Sequence, residues 1–359
     1  MEIFICDKLK TATKDTLNHQ ITDQKLLLTD QINKIPDHSK ITKQLAIQHI
    51  SLNEYLINKL IFNDDFKGNI MNTLCELEFI PCEVISWIEN KCDKCHTIKF
   101  DNVTIHILKN NNDGKNGKLY DIINNVVSII KWMIAISLKN KPTINIYIYM
   151  SDFKKEINMT NPFLGYMEFN SGLSYKISET KGCIHIYRQE ELYKVLIHEL
   201  LHNLEIDINK YETIETQMHV HSSSHKILFN EAYTEVIANY LHCIFYAYKH
   251  DFSLKQILKE EYEFTHIQIN KIFRAFKITG INYFKNPNKF KQYTNVIPYF
   301  IIKYFLMNYI QELLLRFNNK YETIVFLKQI ITHIYNKEMC DSSLIITDNS
   351  MKMIKYDFL

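Results

Sequence analysis

The chain has 359 residues, a formal net charge of +2, 46% hydrophobic residues and 23% charged residues. Its 7 Gly and 6 Pro exclude collagen-like, elastic and Gly/Pro-rich disordered proteins, and they favour long helices over an all-β chain of many tight turns. A balance this close to neutral offers no electrostatic case for nucleic acid, while the length allows two or three packed lobes.

From the start of the chain, MEIFICDKLKTATK has no basic region followed by an apolar core, so no signal peptide is expected. No apolar run approaches the roughly 18 residues of a membrane span, the longest being interrupted by Lys131 and Lys303. The expected setting is intracellular and cytoplasmic, with no membrane partner. Eight cysteines scattered over such a chain are expected to be reduced thiols.

Residues 1–100 read mostly as helix, with apolar positions three and four apart over 41–61 and 70–80. Within them Cys75, Cys82, Cys92 and Cys95 raise a structural zinc knuckle, because Cys92 and Cys95 have the half-site spacing. The second half lacks that spacing. Residues 81–88 read instead as a short amphipathic helix with Pro81 in its first turn. The period then changes: 102–108 alternates as a strand, 117–138 is an apolar helix ended by Pro142, and 143–150 is a β-branched and aromatic strand. Asn170, Ser171 and Gly172 punctuate the next stretch, before a strand at 182–187 and a helix at about 189–204. Helices alone follow, broken near Gly280, Pro287 and Pro298. The fold class is therefore α+β, a small mixed sheet flanked by helical N- and C-terminal regions, divided at 1–100, 101–210 and 211–359.

The chemistry is concentrated in VLIHELLHNL, which contains His198, Glu199 and His202. Positions i and i+4 of a helix share a face, so both imidazoles can reach one metal ion, and Glu199 stands beside that face as a base. About 0.04 such patterns are expected by chance at this composition, so the match is informative. Two histidines and a glutamate among Val195, Leu196, Ile197, Leu200, Leu201 and Leu204 also need partners if buried.

Zinc then needs a third protein ligand. A histidine six residues after His202 is ruled out, because Glu205 and Ile208 occupy the Gly and His positions of that pattern. FNEAYTEVIANYLH supplies a helix with Glu231 and, four residues on, Glu235. Two carboxylates on one helix face repel unless something positive lies between them. A zinc ion with its imidazoles answers that need, with Glu231 as ligand and Glu235 accepting the second N–H of a ligand histidine.

HELLH followed by NEAYTE resembles the thermolysin-like gluzincin metallopeptidases, whose motif is HExxH then NExxx(D/E). The resemblance implies zinc ligands His198, His202 and Glu231, the general base Glu199 and the supporting carboxylate Glu235. It covers about residues 100–245, where strand, helix, strand, edge strand and active-site helix follow the order of that fold's upper lobe. An edge strand upstream of the motif pairs with substrate in such enzymes, and Asn170, Ser171 and Gly172 stand in a comparable place. The segment NSG…IYR…KVLIHELLH is also similar to metallopeptidase-like proteins of large DNA viruses, a source that the Lys-, Asn-, Ile- and Tyr-rich composition fits. One departure is the 28-residue separation of His202 and Glu231, which contains His219, His221 and His225 as rival ligands or a polar loop.

The function implied is a zinc-dependent peptidase acting on a peptide or protein, with Glu199 collecting a proton from water and passing it to the leaving amine. The oxyanion donor implied by the resemblance lies well past the third ligand, where Tyr299 and Tyr293 are the candidates, Tyr299 preferred. The alternatives are a non-catalytic zincin-fold structural or virion protein, and a binding module built on a cysteine zinc knuckle.

Overall fold

The structure is a computed structural model describing residues 69–70, 72–74, 77, 80–110, 116–137, 143–160, 165–208, 228–277, 293–317, 319–334 and 348–357. Its centre is a five-stranded mixed sheet built from β1 (Lys94–Phe100), β2 (Val103–Lys109), β3 (Thr143–Tyr149), β4 (Gly172–Ser178) and β5 (Lys181–Ile186). The spatial order is β1-β2-β3-β5-β4, with β2, β3 and β5 parallel and both outer strands antiparallel to their neighbours. Alternation assigns the two faces. Ile105, Ile107, Ile144, Ile146, Ile148, Ile184 and Ile186 enter the main core, while Leu108, Tyr149 and Tyr187 pack on the opposite face. There α1 (Cys82–Lys91), with Pro81 at its N-cap, buries Val84, Trp87 and Ile88 against them.

The sheet begins before residue 101. Residues 94–100, expected to be helical, form β1, whose register runs from Lys94 opposite Lys109 to Phe100 opposite Val103. Only Ile98 of β1 is buried, so its strand character comes from pairing with β2 rather than from its own pattern.

On the main-core face lie α2 (Asn116–Ile136), the one-turn α3 (Tyr166–Phe169), α4 (Leu192–Asn203) and α5 (Phe229–His250). Contrary to the expectation for apolar runs, α2 is long and apolar enough by length and composition to cross a membrane. Half of its Leu119–Ile136 window is nonetheless buried, with Val126, Ile129, Ile130 and Met133 in the core. Beyond α5 come α6 (Leu254–Phe276), a π-helical turn (Ile297–Ile302), α7 (Lys303–Met307), α8 (Ile310–Leu315) and α9 (Lys320–Ile334). Gly280 and Pro287 lie outside the described residues, and Pro298 sits in the first turn of the π-helical segment, where its missing N–H costs little.

The positions that matter for chemistry follow from α4 and α5. Every residue of α4 from Leu192 to Leu201 is buried, which clamps the helix between β4, β5, α2 and α5. Leu196 and Leu200 are fully buried there, so truncating either to Ala would cost about 2–5 kcal/mol. Helix α5 is likewise buried along most of its length and packs on α4, α6, α7 and the π-helical turn.

The last described segment, 348–357, runs back over this core. Ser350 bridges to Glu156, and the Met351 amide donates to the Lys155 carbonyl at 2.8 Å. Met351, Met353 and Ile354 are buried. Two carboxylates hold its backbone: Glu191 accepts from the Met353 and Ile354 amides, and Glu261 from those of Lys355 and Tyr356. Glu191 adopts φ 62°, a left-handed conformation unfavourable for a side chain with a Cβ. Its hydrogen bonds and its 2.6 Å ion pair with Lys155 hold it there.

Candidate metal centre

His202 lies in the last turn of α4 and Glu231 in the first turn of α5, so a helix C-terminus meets a helix N-terminus. The helix dipoles favour positive charge at the first and a carboxylate at the second. His198 Nε2 and His202 Nε2 are 3.0 Å apart, and Glu231 Oε2 lies 3.5 Å from the former and 3.4 Å from the latter. Among the described residues, these three form the one group whose ligand atoms converge closely enough to hold a metal ion.

The remaining ring nitrogens show how the site is poised. His198 Nδ1 is 3.0 Å from Glu235 Oε2, and His202 Nδ1 is 2.6 Å from Asp207 Oδ2. A carboxylate only accepts, so each of these contacts favours the tautomer protonated on Nδ1, which in a neutral ring leaves the Nε2 lone pair facing inward. Two such lone pairs 3.0 Å apart, beside a carboxylate oxygen, repel one another unless a proton or a cation lies among them. Without a cation, protons take that place. Burial pulls the pKa of His198 down, but hydrogen bonds to Glu231 and Glu235 outweigh it and leave it raised. Burial is also overcome at His202, which Glu231 and Asp207 hold well above the usual imidazole range. Glu231 is held well below the carboxylate range, its burial offset mainly by His202 and His198. Two imidazoles and one carboxylate, buried and already oriented by outer carboxylates, fit a zinc ion.

Glu235 serves a wider network than the sequence suggests. Besides His198 it pairs with Lys194, at 2.5 Å from Oε2, and with Lys303, at 3.6 Å from Oε1. All three side chains are almost wholly buried. The Glu231/Glu235 repulsion on one helix face is therefore relieved by two ammonium groups as well as by the imidazoles. Burial raises the pKa of Glu235, but Lys194 and then His198 and Lys303 force it far below the usual range. Lys194 stands four residues before His198 on the same helix face. Lys303 follows the π-helical turn, and neither had a role in the sequence reading. Asp207 was also missed. The signal available for it was chemical: the second imidazole, too, needs an acceptor for its N–H.

Glu199 is buried and lines a partly open cavity together with His198, Glu235 and Tyr299. The same cavity borders Asn170, Ser171 and Gly172, at and just before the start of β4. Gly172 is required there. A Cβ would lie 2.8 Å from the His185 carbonyl oxygen, 2.9 Å from Val195 Cγ1 and 3.5 Å from Glu199 Oε1. Asn170 is fixed by Thr294 Oγ1 at 2.5 Å on its side chain and by Arg188 Nε at 2.8 Å on its carbonyl.

The two candidate tyrosines part company. The Tyr299 hydroxyl donates to Glu231 Oε2 at 3.3 Å, and its ring meets that of His198 edge-on at 5.9 Å between centroids. Burial and the Glu231 charge push its pKa well above the usual value, so it remains a donor. Tyr293 is 39% exposed and is not among the residues lining the cavity. Tyr299 stands within the π-helical turn, a distortion common at functional sites, whereas Tyr293 precedes it.

The other metal candidates are not assembled. Cys92 is buried with its thiol near the Lys94 and Lys109 carbonyl oxygens, Cys82 is exposed, and Cys95 neighbours Thr97 on β1. These three form no ligand group among the described residues, and Cys75 lies outside them. His219, His221 and His225 also lie outside the described residues. Comparison with known protein families, with curated proteins and with solved structures finds no match to this chain. Function must therefore be read from these side chains.

Proposed function

We propose that the chain is a zinc-dependent peptidase with a zincin-like catalytic core, cleaving peptide bonds by attack of an activated water. The observation that carries this reading is the convergence of His198 Nε2, His202 Nε2 and Glu231 Oε2, with Glu199 on the wall of an adjoining cavity. Bound zinc supplies Lewis acidity, polarising a carbonyl and bringing the pKa of water down to about 7. The chain supplies the remaining parts. Glu235 and Asp207 fix the tautomers of the two imidazoles. Glu199 takes the proton from the attacking water and delivers it to the departing amine. Tyr299, held protonated, donates to the carbonyl oxygen as negative charge builds on it.

The substrate has a natural docking edge. Among the described residues β4 is an edge strand paired only with β5, and it begins at Gly172, where an added Cβ would lie 3.5 Å from Glu199 Oε1. An extended peptide adding to that edge would be carried past Glu199 by backbone hydrogen bonds alone, with side chains sorted by the neighbouring cavity.

Zinc analysis of the purified protein, paired with proteolysis of a peptide mixture, tests the proposal. One zinc per chain is expected, lost in both His198→Ala and Glu231→Ala, with chelator-sensitive cleavage. Zinc retained in both variants, or cleavage indifferent to chelator, would overturn it.

A further inference from the structure

The cavity beside Glu199 has a mixed apolar and charged lining. Phe169, Val195 and Met353 give it apolar walls, and Lys155 and Lys194 bring two ammonium groups to it. Both lysines are buried, with exposures of 1% and 2%. Burying an ammonium is costly unless acceptors surround it, and here acceptors are scarce. Among the described residues Lys155 Nζ has one partner, Glu191 Oε2 at 2.6 Å, for its three N–H bonds. That carboxylate is shared with the Met353 and Ile354 amides. Lys194 shares Glu235 with Lys303 and His198, and its further contact is the weak acceptor Met353 Sδ at 3.4 Å. Lys303 has further partners in the Met353 carbonyl oxygen at 2.6 Å and the buried Glu261 carboxylate, whereas Lys155 and Lys194 depend on Glu191 and Glu235.

A second observation points to a polar occupant. Ser171, 4% exposed, lines the same cavity, and its Oγ has no hydrogen-bond partner among the described residues. In a native interior such a group is a place where an acceptor or donor is expected to arrive. Burial pulls the Lys155 pKa down and Glu191 pulls it back only in part, so a further carboxylate would relieve the remaining strain on its charge.

We propose that this cavity is a specificity subsite for an acidic side chain, that of a glutamate or aspartate next to the bond to be cleaved. Lys155 and Lys194 form its cationic end, Ser171 donates from the rim, and the apolar stem of the side chain lies against Phe169, Val195 and Met353. The C-terminal segment is then part of the binding wall, since Met353 reaches the cavity from it. This assignment rests on the peptidase reading for the nature of its substrate.

The test uses the zinc-loaded full chain and three hydroxamates whose chelating group is followed by a Glu, Gln or Leu residue. The chelator anchors the register, so the readout is binding and does not require turnover. The Glu compound should bind about tenfold more tightly than its Gln isostere, and that ratio should fall toward one in Lys155→Met. Equal or tighter binding of the Gln or Leu compound to the unmodified protein would overturn the subsite, as would binding of none of them. The ranking in the unmodified protein decides even if the variant fails to fold. Hydrolysis of matched peptides reports separately: an acidic preference in binding with no cleavage would leave the subsite standing and remove the peptidase reading.

Discussion

Replacing Glu235 with Gln isolates the role of the carboxylate behind the metal site. The amide keeps an oxygen for the N–H of His198, 3.0 Å away, but removes the charge that Lys194 and Lys303 share. Lys194 and Lys303 are 2% and 1% exposed, so water cannot take over. Removing one partner of a buried ion pair costs about 3–5 kcal/mol, because the other charge stays behind unpaired. At about 2.1 cal/mol/K per residue over 359 residues, each kcal/mol moves the melting temperature by roughly 1.3 °C, giving a fall of about 4–7 °C. Zinc affinity should fall by about tenfold, the low end for loss of an outer partner, since a neutral acceptor still orients the ring. Asp207→Asn is the control. Asp207 holds His202 at 2.6 Å in a less buried position and without a lysine cluster around it, so zinc affinity should fall similarly while the melting temperature falls by less than in Glu235→Gln. Calorimetric melting of the metal-free proteins and zinc titration against a competing chelator measure both quantities. Equal melting temperatures for Glu235→Gln and the unmodified protein would refute the assignment of Glu235 as the counter-charge of the two lysines.

Gly172→Ala should destabilise the protein by about 1–3 kcal/mol in urea unfolding and depress peptide hydrolysis, because the new Cβ crowds the His185 carbonyl oxygen and Val195 and pushes β4 from its place beside Glu199. Unchanged stability and activity would show that β4 does not approach α4 as described. Burial holds His185 at about 3, below the ordinary 6.5 of the unfolded chain. The unfolded state therefore binds the extra proton, and this ring lowers stability as pH falls from 6.5 toward 3. Relative to the unmodified protein, His185→Phe should recover up to about 1.4 kcal/mol per pH unit between pH 6 and 4.5 in denaturant titrations, and parallel pH profiles would contradict this. Asp251 and Lys277 end α5 and α6 in left-handed conformations, with φ of 54° for each. Asp251→Gly and Lys277→Gly should each raise the unfolding free energy by about 0.5–1 kcal/mol, and a loss of stability would show that the side chains contribute more than the backbone strain removes.

Local periodicity made the centre of the site legible in the sequence. His198 and His202 had to share a helix face once the apolar residues around them fixed the helix, and TINIYIY could form little but a strand. Glu231 and Glu235 were readable for the same reason. What escaped was set by distant partners. KCHTIKF carries almost no burial signal and is a strand because β2 lies beside it. Lys303 looked like an interruption of an apolar run and Lys194 carried no signal, and only the folded chain brings both to Glu235. Tyr299, unlike Tyr293, stands in a π-helical turn that no spacing rule announces. Met353 lies more than a hundred residues beyond α5 in sequence and reaches the cavity from a segment held by the carboxylates of Glu191 and Glu261, which no local pattern singles out.

The scarcity of glycine also acquires a structural meaning. Among the described residues every left-handed position is occupied by Asp, Glu or Lys, at residues 101, 191, 205, 251 and 277, and by no glycine. Helix ends that glycine would close without strain are closed here at some cost, and Gly172 is kept for a place where a Cβ cannot fit.

The most direct test of the account is Glu199→Gln. Its amide keeps the shape and burial of the carboxylate but cannot take a proton from water. The account predicts a variant that binds one zinc with unchanged affinity and melts like the unmodified protein, yet loses peptide hydrolysis by about a thousandfold or more. Hydrolysis at an undiminished rate by the zinc-loaded variant would contradict it.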